Sequence, residues 1–301
     1  MAEIERILSK GQIPQKFLEP ETRNDFLVDE YRKKLWAISI DLLFEFDSVC
    51  KKHNLTYYLI AGSLLGVIRH KGFIPWDDDI DLCMPRKDYE RFIQLSKEFN
   101  DPYFLQTPYT DPNFLYSVTR LRNSNTTCIV NTFKYQGFNQ GIYISVFPLD
   151  YWEEEGGIER FEKIKALLRD NSAYMRKSKP NKTEEDLERI KQHSGRNPLD
   201  VYEEVHKLAS QFKDTPTNEL GLAVCTVYPY GKLIFDASDF DKTISGQFED
   251  WSFPIPYGYD SILKKLYGDY MQFPPVEKRG LWHSGVFIDP DKPYTYYIDK
   301  N

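Results

Sequence analysis

"GFIPWDDDIDLCMP", residues 72–85, places four aspartates within five positions and then continues directly into apolar residues. Alternate residues of a strand project to the same face, so a strand over residues 79–84 would present Asp79 and Asp81 together. Two carboxylates held side by side are costly unless a cation lies between them, and their oxygens are ligands that Mg²⁺ or Mn²⁺ prefers. The stretch therefore predicts a divalent-metal site on Asp79 and Asp81, with Asp77 as a further candidate in the loop before them.

Two other interpretations of the acidic run compete with a metal site. A run of aspartates is often an exposed, solvated turn, and for the run considered by itself this alternative stays open. The aspartates also match the first ligand positions of a calcium-binding EF-hand loop. That loop requires glycine at its sixth position, where this chain has Leu82, and Pro85 interrupts it, so the EF-hand interpretation fails.

The segment LIAGSLLG, residues 59–66, precedes the acidic run and is typical of a strand followed by glycine and a short helix. If Ser63 is the N-cap of that helix, the backbone amides there and the close approach that Gly62 permits would form an anion site. Arg69 and Lys71 end the helix and add positive charge, although cations at this end also complement the helix dipole. A phosphate site beside a metal-binding strand would together bind a nucleotide diphosphate.

A second source of positive charge lies in TRLRNSNTT, residues 119–127. Arg120 and Arg122 alternate along a predicted strand and therefore share one of its faces. Arginine suits phosphate because its planar guanidinium makes paired hydrogen bonds to phosphate oxygens. Arg122 is the phosphate-binding candidate from this segment, and surface salt bridges are the alternative for both arginines.

Composition limits the classes of function. A chain of 301 residues is long enough for a substantial core in one large or two smaller domains. The net charge of −7 argues against nucleic-acid binding, and the four cysteines are dispersed without a CxxC pair, which indicates a reducing compartment. No apolar run resembles a signal peptide or approaches the ~20 residues of a membrane span. We therefore expect a cytoplasmic protein. If it acts at a membrane, we expect it to attach peripherally to the inner face.

The pattern along the chain mixes helices and strands. Apolar residues recur at helical spacing from Leu35 to His53, β-rich runs follow, and charged helical segments occupy residues 153–213. This order predicts an N-terminal lead-in of irregular, polar character, one main domain that contains a helical insertion, and a C-terminal tail. The predicted boundaries are 1–30 for the lead-in, 31–285 for the domain, 153–213 for the insertion and 286–301 for the tail.

The stretch AGSLLGVIRHKGFIPWDDDIDLCMPRKDYERF, residues 61–92, closely resembles the LicD family, which includes bacterial phosphocholine transferases and, more distantly, fukutin and fukutin-related protein. LRNSNTT (121–127), GIYISVFPLD (141–150) and LKKLYGDYMQFPP (263–275) look like later blocks of the same family, in the same order. The resemblance implies an α+β fold, a nucleotidyltransferase-like mixed sheet flanked by helices.

The resemblance also implies an activity. Members of the family transfer a phosphorylated alcohol from a CDP-linked donor to a sugar hydroxyl and release CMP. For this chain it implies phosphocholine from CDP-choline, an acceptor glycan or glycolipid such as lipopolysaccharide, teichoic acid or capsule, and Mg²⁺ or Mn²⁺ as cofactor. The family's glycine-serine turn corresponds to Gly62 and Ser63, and its acidic pair to Asp79 and Asp81.

One position departs from the family pattern. In the block GIFIDIFPLD the fifth residue is typically aspartate, and here it is Ser145, which can act neither as a base nor as a good Mg²⁺ ligand. Asp150 would replace it only if the turn at Pro148 brought it back. The departure keeps open the alternative of a catalytically weak member that binds nucleotide or glycan without turning it over. A separate alternative on the same core is an enzyme that transfers the nucleotide itself.

Overall fold

The structure, a computed structural model, confirms the predicted α+β class. It describes residues 3–130, 136–153, 155–175, 182–192, 195–225, 228–280 and 286–298. The helices are α1 (Glu3–Ser9), α2 (Glu30–Lys52), α3 (Ala61–Leu65), α4 (Arg86–Phe92), α5 (Gly157–Met175), α6 (Glu184–Gln192), α7 (Pro198–Ala209), α8 (Tyr259–Tyr267) and α9 (Thr295–Ile298). The strands are β1 (Glu21–Arg23), β2 (Phe26–Val28), β3 (Tyr58–Leu59), β4 (Asp81–Pro85), β5 (Tyr103–Gln106), β6 (Thr119–Asn123), β7 (Thr127–Val130), β8 (Ile142–Trp152), β9 (Glu219–Gly221), β10 (Ile234–Asp236), β11 (Thr243–Phe248), β12 (Trp251–Pro256) and β13 (Val286–Asp289).

The long strand β8 organises the central sheet. It pairs with β4 in parallel and with β6 and β9 antiparallel, and β3, β5 and β10 extend the sheet outward. Most side chains of β8 are buried on both faces, as expected for a central strand covered by helices. Because β4 and β6 flank the same half of β8, residues from three strands lie side by side there.

Helix α2 confirms the predicted helical periodicity and packs against this sheet. Asp29 caps it by accepting a hydrogen bond from the backbone N–H of Arg32 at 2.8 Å, which begins the helix before the predicted Leu35. Its apolar face includes Trp36, which is fully buried and stacks on Phe73 with a centroid distance of 4.6 Å. The helix thereby supports the segment that leads into the acidic run.

The two ends of the chain are more structured than the sequence indicates. The predicted irregular lead-in contains α1, whose Ile4 and Ile7 are buried and whose Arg6 donates to Glu3 at 2.6 Å and to Asp41 of α2 at 3.1 Å. Strand β13, within the predicted tail, pairs antiparallel with β7. Both ends therefore contribute to the fold: α1 buries apolar side chains, and β13 pairs with a strand of the main domain.

Residues 153–213 hold α5, α6 and α7, in agreement with the helical character predicted for this segment. Helix α7 returns to the sheet, where Nδ1 of His206 lies 3.0 Å from the guanidinium of Arg86. None of the helices in the described part of the chain has the length and apolar character that crossing a bilayer requires.

Candidate active site

The acidic run forms a loop rather than the start of a strand. The predicted strand over residues 79–84 begins only at Asp81, so Asp79 lies in the loop before it. Carboxylate oxygens of Asp77, Asp78 and Asp79 converge within 4.8 Å of one another, and all these side chains are partly buried. The structure therefore brings Asp79 together with Asp77 and Asp78, whereas the sequence paired Asp79 with Asp81.

Helix α2 holds this loop in place. The backbone carbonyl of Asp77 accepts hydrogen bonds from the guanidinium of Arg32 and from the indole N–H of Trp36, each at 3.1 Å. These contacts bend residues 77–80 out of the strand, which is why β4 starts late. Arg32 also places a positive charge beside Asp77 and Asp78. Like charges this close need such a counter-charge, and the sequence alone did not show where it would come from.

The glycine-serine turn lies directly against the acidic loop. The hydroxyl of Ser63 accepts a hydrogen bond from the backbone N–H of Asp81 at 2.9 Å, and the Asp81 carbonyl accepts one from Ile60 N–H at 3.0 Å. A Cβ atom on Gly62 would lie 2.8 Å from a carboxylate oxygen of Asp77, so glycine is needed for this approach. The turn therefore positions both ends of the acidic segment.

The predicted N-cap role of Ser63 is wrong. Helix α3 begins at Ala61, with Ile60 as N-cap residue and no side-chain cap, because the Ser63 hydroxyl is engaged by β4. Ala61 has a φ of 51°, in the left-handed region that is uncommon for a residue with a side chain. The helix is five residues long and continues as a π-helix over Gly66–His70. Such a short helix supplies little dipole for an anion.

Burial and mutual repulsion disfavour the ionised form of the carboxylates in the acidic run. Partial burial raises the pKa of Asp77 and of Asp81 well above the usual carboxyl range, and the charge of Asp79 raises both further. A bound cation would relieve this repulsion. Carboxylate oxygens that converge within 4.8 Å suit a hard divalent ion such as Mg²⁺, so the residues present fit the predicted cofactor.

Three strands bring further polar residues to this cluster. Asp81 on β4 and Arg120 on β6 are both register partners of Ser145 on β8. Residues in register on adjacent strands share a face, so Ser145 lies between a carboxylate and a guanidinium. Ser145 is 8% exposed, and the Arg120 guanidinium carbon lies 3.9 Å from the ring centroid of Tyr143, two residues along the same face of β8.

Several predicted residues are not brought to the cluster. Arg69 donates to the backbone carbonyls of Tyr270 at 2.7 Å and Gln272 at 3.0 Å. Lys71 is exposed and ends the π-helix with a φ of 58°, in the left-handed region. These basic residues therefore hold a loop and a helix end.

Arg122 and Asp150 likewise have structural partners. Arg122 is buried and donates to the side-chain oxygen of Gln106 and to the backbone carbonyl of Gly141. Asp150 lies five residues beyond Ser145, an odd spacing that turns it to the opposite face of β8. Both of its oxygens accept hydrogen bonds from Arg86, at 2.6 and 2.8 Å. The chain does not turn back at Pro148, so Asp150 does not replace the missing carboxylate.

The residues that sequence reasoning missed are Asp78, Arg32, Trp36 and Tyr143. Asp78 was expected in the loop beside Asp77, either supporting the metal ligands or solvated, and was not among the candidate site residues. Arg32 and Trp36 stand four residues apart on α2, a spacing that places them on one helix face. Nothing in that spacing indicates which loop they would contact, because the partner lies 41 and 45 residues away in the sequence.

Comparisons with known proteins agree with this geometry. The family described as LicD/FKTN/FKRP, nucleotidyltransferase domain, matches residues 54–159, which include the turn, the acidic loop, β6 and β8. The chain is 28% identical over 256 residues to the lipopolysaccharide cholinephosphotransferase LicD of Haemophilus influenzae, covering 82% of this chain and 93% of that protein. It is also 31% identical over 153 residues to an uncharacterized protein of Rickettsia prowazekii, covering 49% of this chain and 53% of that protein. The LicD family model and the relative from Haemophilus influenzae therefore agree with the resemblance that the stretch over residues 61–92 predicted.

Proposed function

We propose that the protein is a metal-dependent phosphotransferase that moves phosphocholine from CDP-choline to a sugar hydroxyl of lipopolysaccharide and releases CMP. The observation that carries the proposal is the close packing of the glycine-serine turn against the acidic segment: Ser63 is hydrogen-bonded to Asp81, and Gly62 leaves room for the Asp77 carboxylate. The similarity over most of the chain to a lipopolysaccharide cholinephosphotransferase supports phosphocholine as the group transferred and lipopolysaccharide as the acceptor.

Asp77, Asp78, Asp79 and Asp81 are the residues that would hold Mg²⁺ or Mn²⁺. When bound, the ion would neutralise charge on the donor diphosphate and on the CMP that leaves. The proximity of the carboxylate oxygens of Asp77, Asp78 and Asp79 supports this assignment. The raised pKa of Asp77 and of Asp81, to which the charge of Asp79 contributes, supports it as well, since carboxylates that repel each other bind a cation readily.

The chain's own residues would orient the two substrates. In-line transfer requires the sugar oxygen to form a bond to the phosphorus of phosphocholine while the bond from that phosphorus to the CMP oxygen breaks. The hydroxyl proton passes to a carboxylate of the cluster, because the serine at 145 cannot accept it. The rigid attachment of β4 to the glycine-serine turn, through Ser63 and Ile60, fixes the position of these carboxylates. The acceptor, as a glycolipid, would be met by peripheral attachment at the cytoplasmic face of a membrane.

A second candidate function is binding of nucleotide or glycan without efficient turnover. Ser145 favours it, because the structure places this serine beside Asp81 where the family typically has a third carboxylate. Transfer of the nucleotide itself is a further alternative on the same core, and the mass of the product distinguishes it from transfer of the alcohol phosphate.

The test is a turnover assay with lipopolysaccharide and each of CDP-choline, CDP-ribitol and CDP-glycerol, with Mg²⁺, with Mn²⁺ and with EDTA. CMP release coupled to a phosphocholine mass on the acceptor supports the proposal. Asp79→Asn and Asp81→Asn should each reduce the rate by orders of magnitude, whereas Asp200→Asn, an exposed control on α7, should not. Near-normal turnover by Asp79→Asn and Asp81→Asn, or unchanged turnover in EDTA, would contradict the assignment of the metal site. Binding of a CDP-alcohol without CMP release would favour the second candidate.

A further inference from the structure

We infer that Arg120 contacts the diphosphate of the donor, and that the serine at position 145 leaves this arginine free to do so. The inference deepens the proposed function and rests on it, because it names the residue that binds the charged part of the donor. It also gives the departure at position 145 a role other than loss of catalysis.

The register of the sheet places Arg120 across from the acidic segment. Asp81 and Arg120 are both partners of Ser145, on opposite sides of β8. Neighbouring strands lie ~4.8 Å apart, so the backbones at Asp81 and Arg120 are separated by about 10 Å. A diphosphate between them would have the carboxylates, and any cation they hold, on one side and a guanidinium on the other.

Aromatic rings fix the guanidinium of Arg120 without occupying its donors. Its central carbon lies 3.9 Å from the ring centroid of Tyr143, 4.7 Å from that of Tyr116 and 5.4 Å from that of Phe114. Its Nε is buried and has no hydrogen-bond partner. A buried donor that is left unpaired is unfavourable, and a phosphate oxygen would satisfy it. The rings also limit the rotamers of the side chain, so little freedom would be lost on binding.

The other candidate cations near this face already have partners. Arg122 donates to Gln106 and to the Gly141 carbonyl, and Arg69 to the carbonyls of Tyr270 and Gln272. Arg32 donates to the Asp77 carbonyl. Since α3 is also too short to provide a strong anion site, Arg120 is the best-placed group for the phosphates among these residues.

The side chain at position 145 determines whether Arg120 is available. An aspartate there would lie beside the guanidinium and form an ion pair with it, and it would add a negative charge next to Asp81. Serine is small and uncharged, so it leaves both neighbours free. A carboxylate at position 145 should therefore weaken donor binding. If the serine were only a missing metal ligand, a carboxylate at this position should instead strengthen donor binding.

The experiment is calorimetric titration of CDP-choline into the full-length protein at saturating Mg²⁺. Arg120→Gln should weaken binding about 10- to 100-fold, the loss expected for a hydrogen-bonded charge pair, while Arg120→Lys should retain part of the affinity. Arg169→Gln, which removes an exposed arginine of α5, is the matched control. Ser145→Asp should weaken binding about tenfold or more. Ser145→Asn, whose side chain has the shape of aspartate but no charge, should keep an affinity within about threefold of that of the natural protein.

A double-mutant cycle distinguishes two ways in which an aspartate at position 145 could weaken donor binding: by pairing with Arg120, or by repelling the donor phosphates directly. If the aspartate acts by pairing with Arg120, Ser145→Asp should have little further effect in the Arg120→Gln background. If Arg120→Gln does not fold, Ser145→Asp against Ser145→Asn carries the test. Equal affinities for Arg120→Gln and Arg169→Gln, or tighter binding by Ser145→Asp, would overturn the inference and leave the proposed function standing. Absence of binding by the natural protein would overturn both.

Discussion

The change Asp150→Asn tests whether the last carboxylate of the GIYISVFPLD block belongs to the core or to the site. Asp150 is fully buried and accepts hydrogen bonds from Nε and Nη2 of Arg86, at 2.6 and 2.8 Å, and Arg86 itself is only 4% exposed. The amide has nearly the volume of the carboxylate but no charge, and its NH₂ group would face the guanidinium donors. The substitution therefore leaves a buried positive charge without its partner.

The magnitude follows from this burial. Removing one partner of a buried ion pair destabilises a protein by about 3 to 5 kcal/mol, because the remaining charge is neither solvated nor paired. That is a large part of the 5 to 15 kcal/mol that typically stabilises a folded protein. In a chain of this size it corresponds to a fall in Tm of roughly 10 °C. Nucleotide affinity should be unchanged under conditions where the variant is folded, because Asp150 faces away from Ser145.

Urea unfolding followed by tryptophan fluorescence measures the change, with calorimetric titration of CDP-choline on the same samples. Asp214→Asn is the control, since it removes the acidic partner of an exposed pair with Lys87 and should change the free energy of unfolding by less than about 1 kcal/mol. Replacing both Arg86 and Asp150 by apolar residues should be less damaging than Asp150→Asn alone. If the Asp150→Asn variant had normal stability but no longer bound CDP-choline, the reasoning would be refuted and Asp150 would be assigned to the nucleotide site.

Three further predictions concern the turn, a histidine and the N-terminus. Gly62→Ala should lower kcat/KM about 10- to 100-fold with little change in Tm, since the new methyl group displaces the Asp77 carboxylate; unchanged kinetics would contradict this. Burial lowers the pKa of His70 to about 4. Between a pH of about 6.5 and 4, His70 is therefore protonated in the unfolded chain but stays neutral in the folded protein. Stability should therefore fall as the pH drops from about 6.5 to 4, and Tm measured against pH should be flatter for His70→Phe than for the natural protein, whereas parallel curves would exclude this contribution. Deletion of residues 1–11 removes two buried isoleucines and should reduce the free energy of unfolding in urea by about 3 to 6 kcal/mol; an unchanged value would show that α1 is dispensable.

Local patterns in the sequence were sufficient for much of the fold. The periodicity of α2 is set by which residues must be buried, so it could be predicted from apolar spacing alone, and β6 and β8 lie in segments whose composition is typical of strands. The strand predicted before Gly62 is β3, only two residues long, because residues 60–63 turn back onto Asp81. Ends of the chain were misjudged for a similar reason, since α1 and β13 owe their order to partners elsewhere in the chain.

The sequence by itself also predicted that the glycine-serine turn and the acidic run lie close together, because the turn ends one predicted strand and the run borders the next; in the structure these strands, β3 and β4, pair antiparallel. Only the tertiary structure decided which carboxylates converge and which arginine faces them. Arg120 and Arg122 have the same alternation and the same chemistry, and the difference between them is that Gln106 and Gly141 meet only Arg122. Such a choice depends on contacts between segments distant in the sequence, whereas periodicity reports only which face of its own strand a residue occupies.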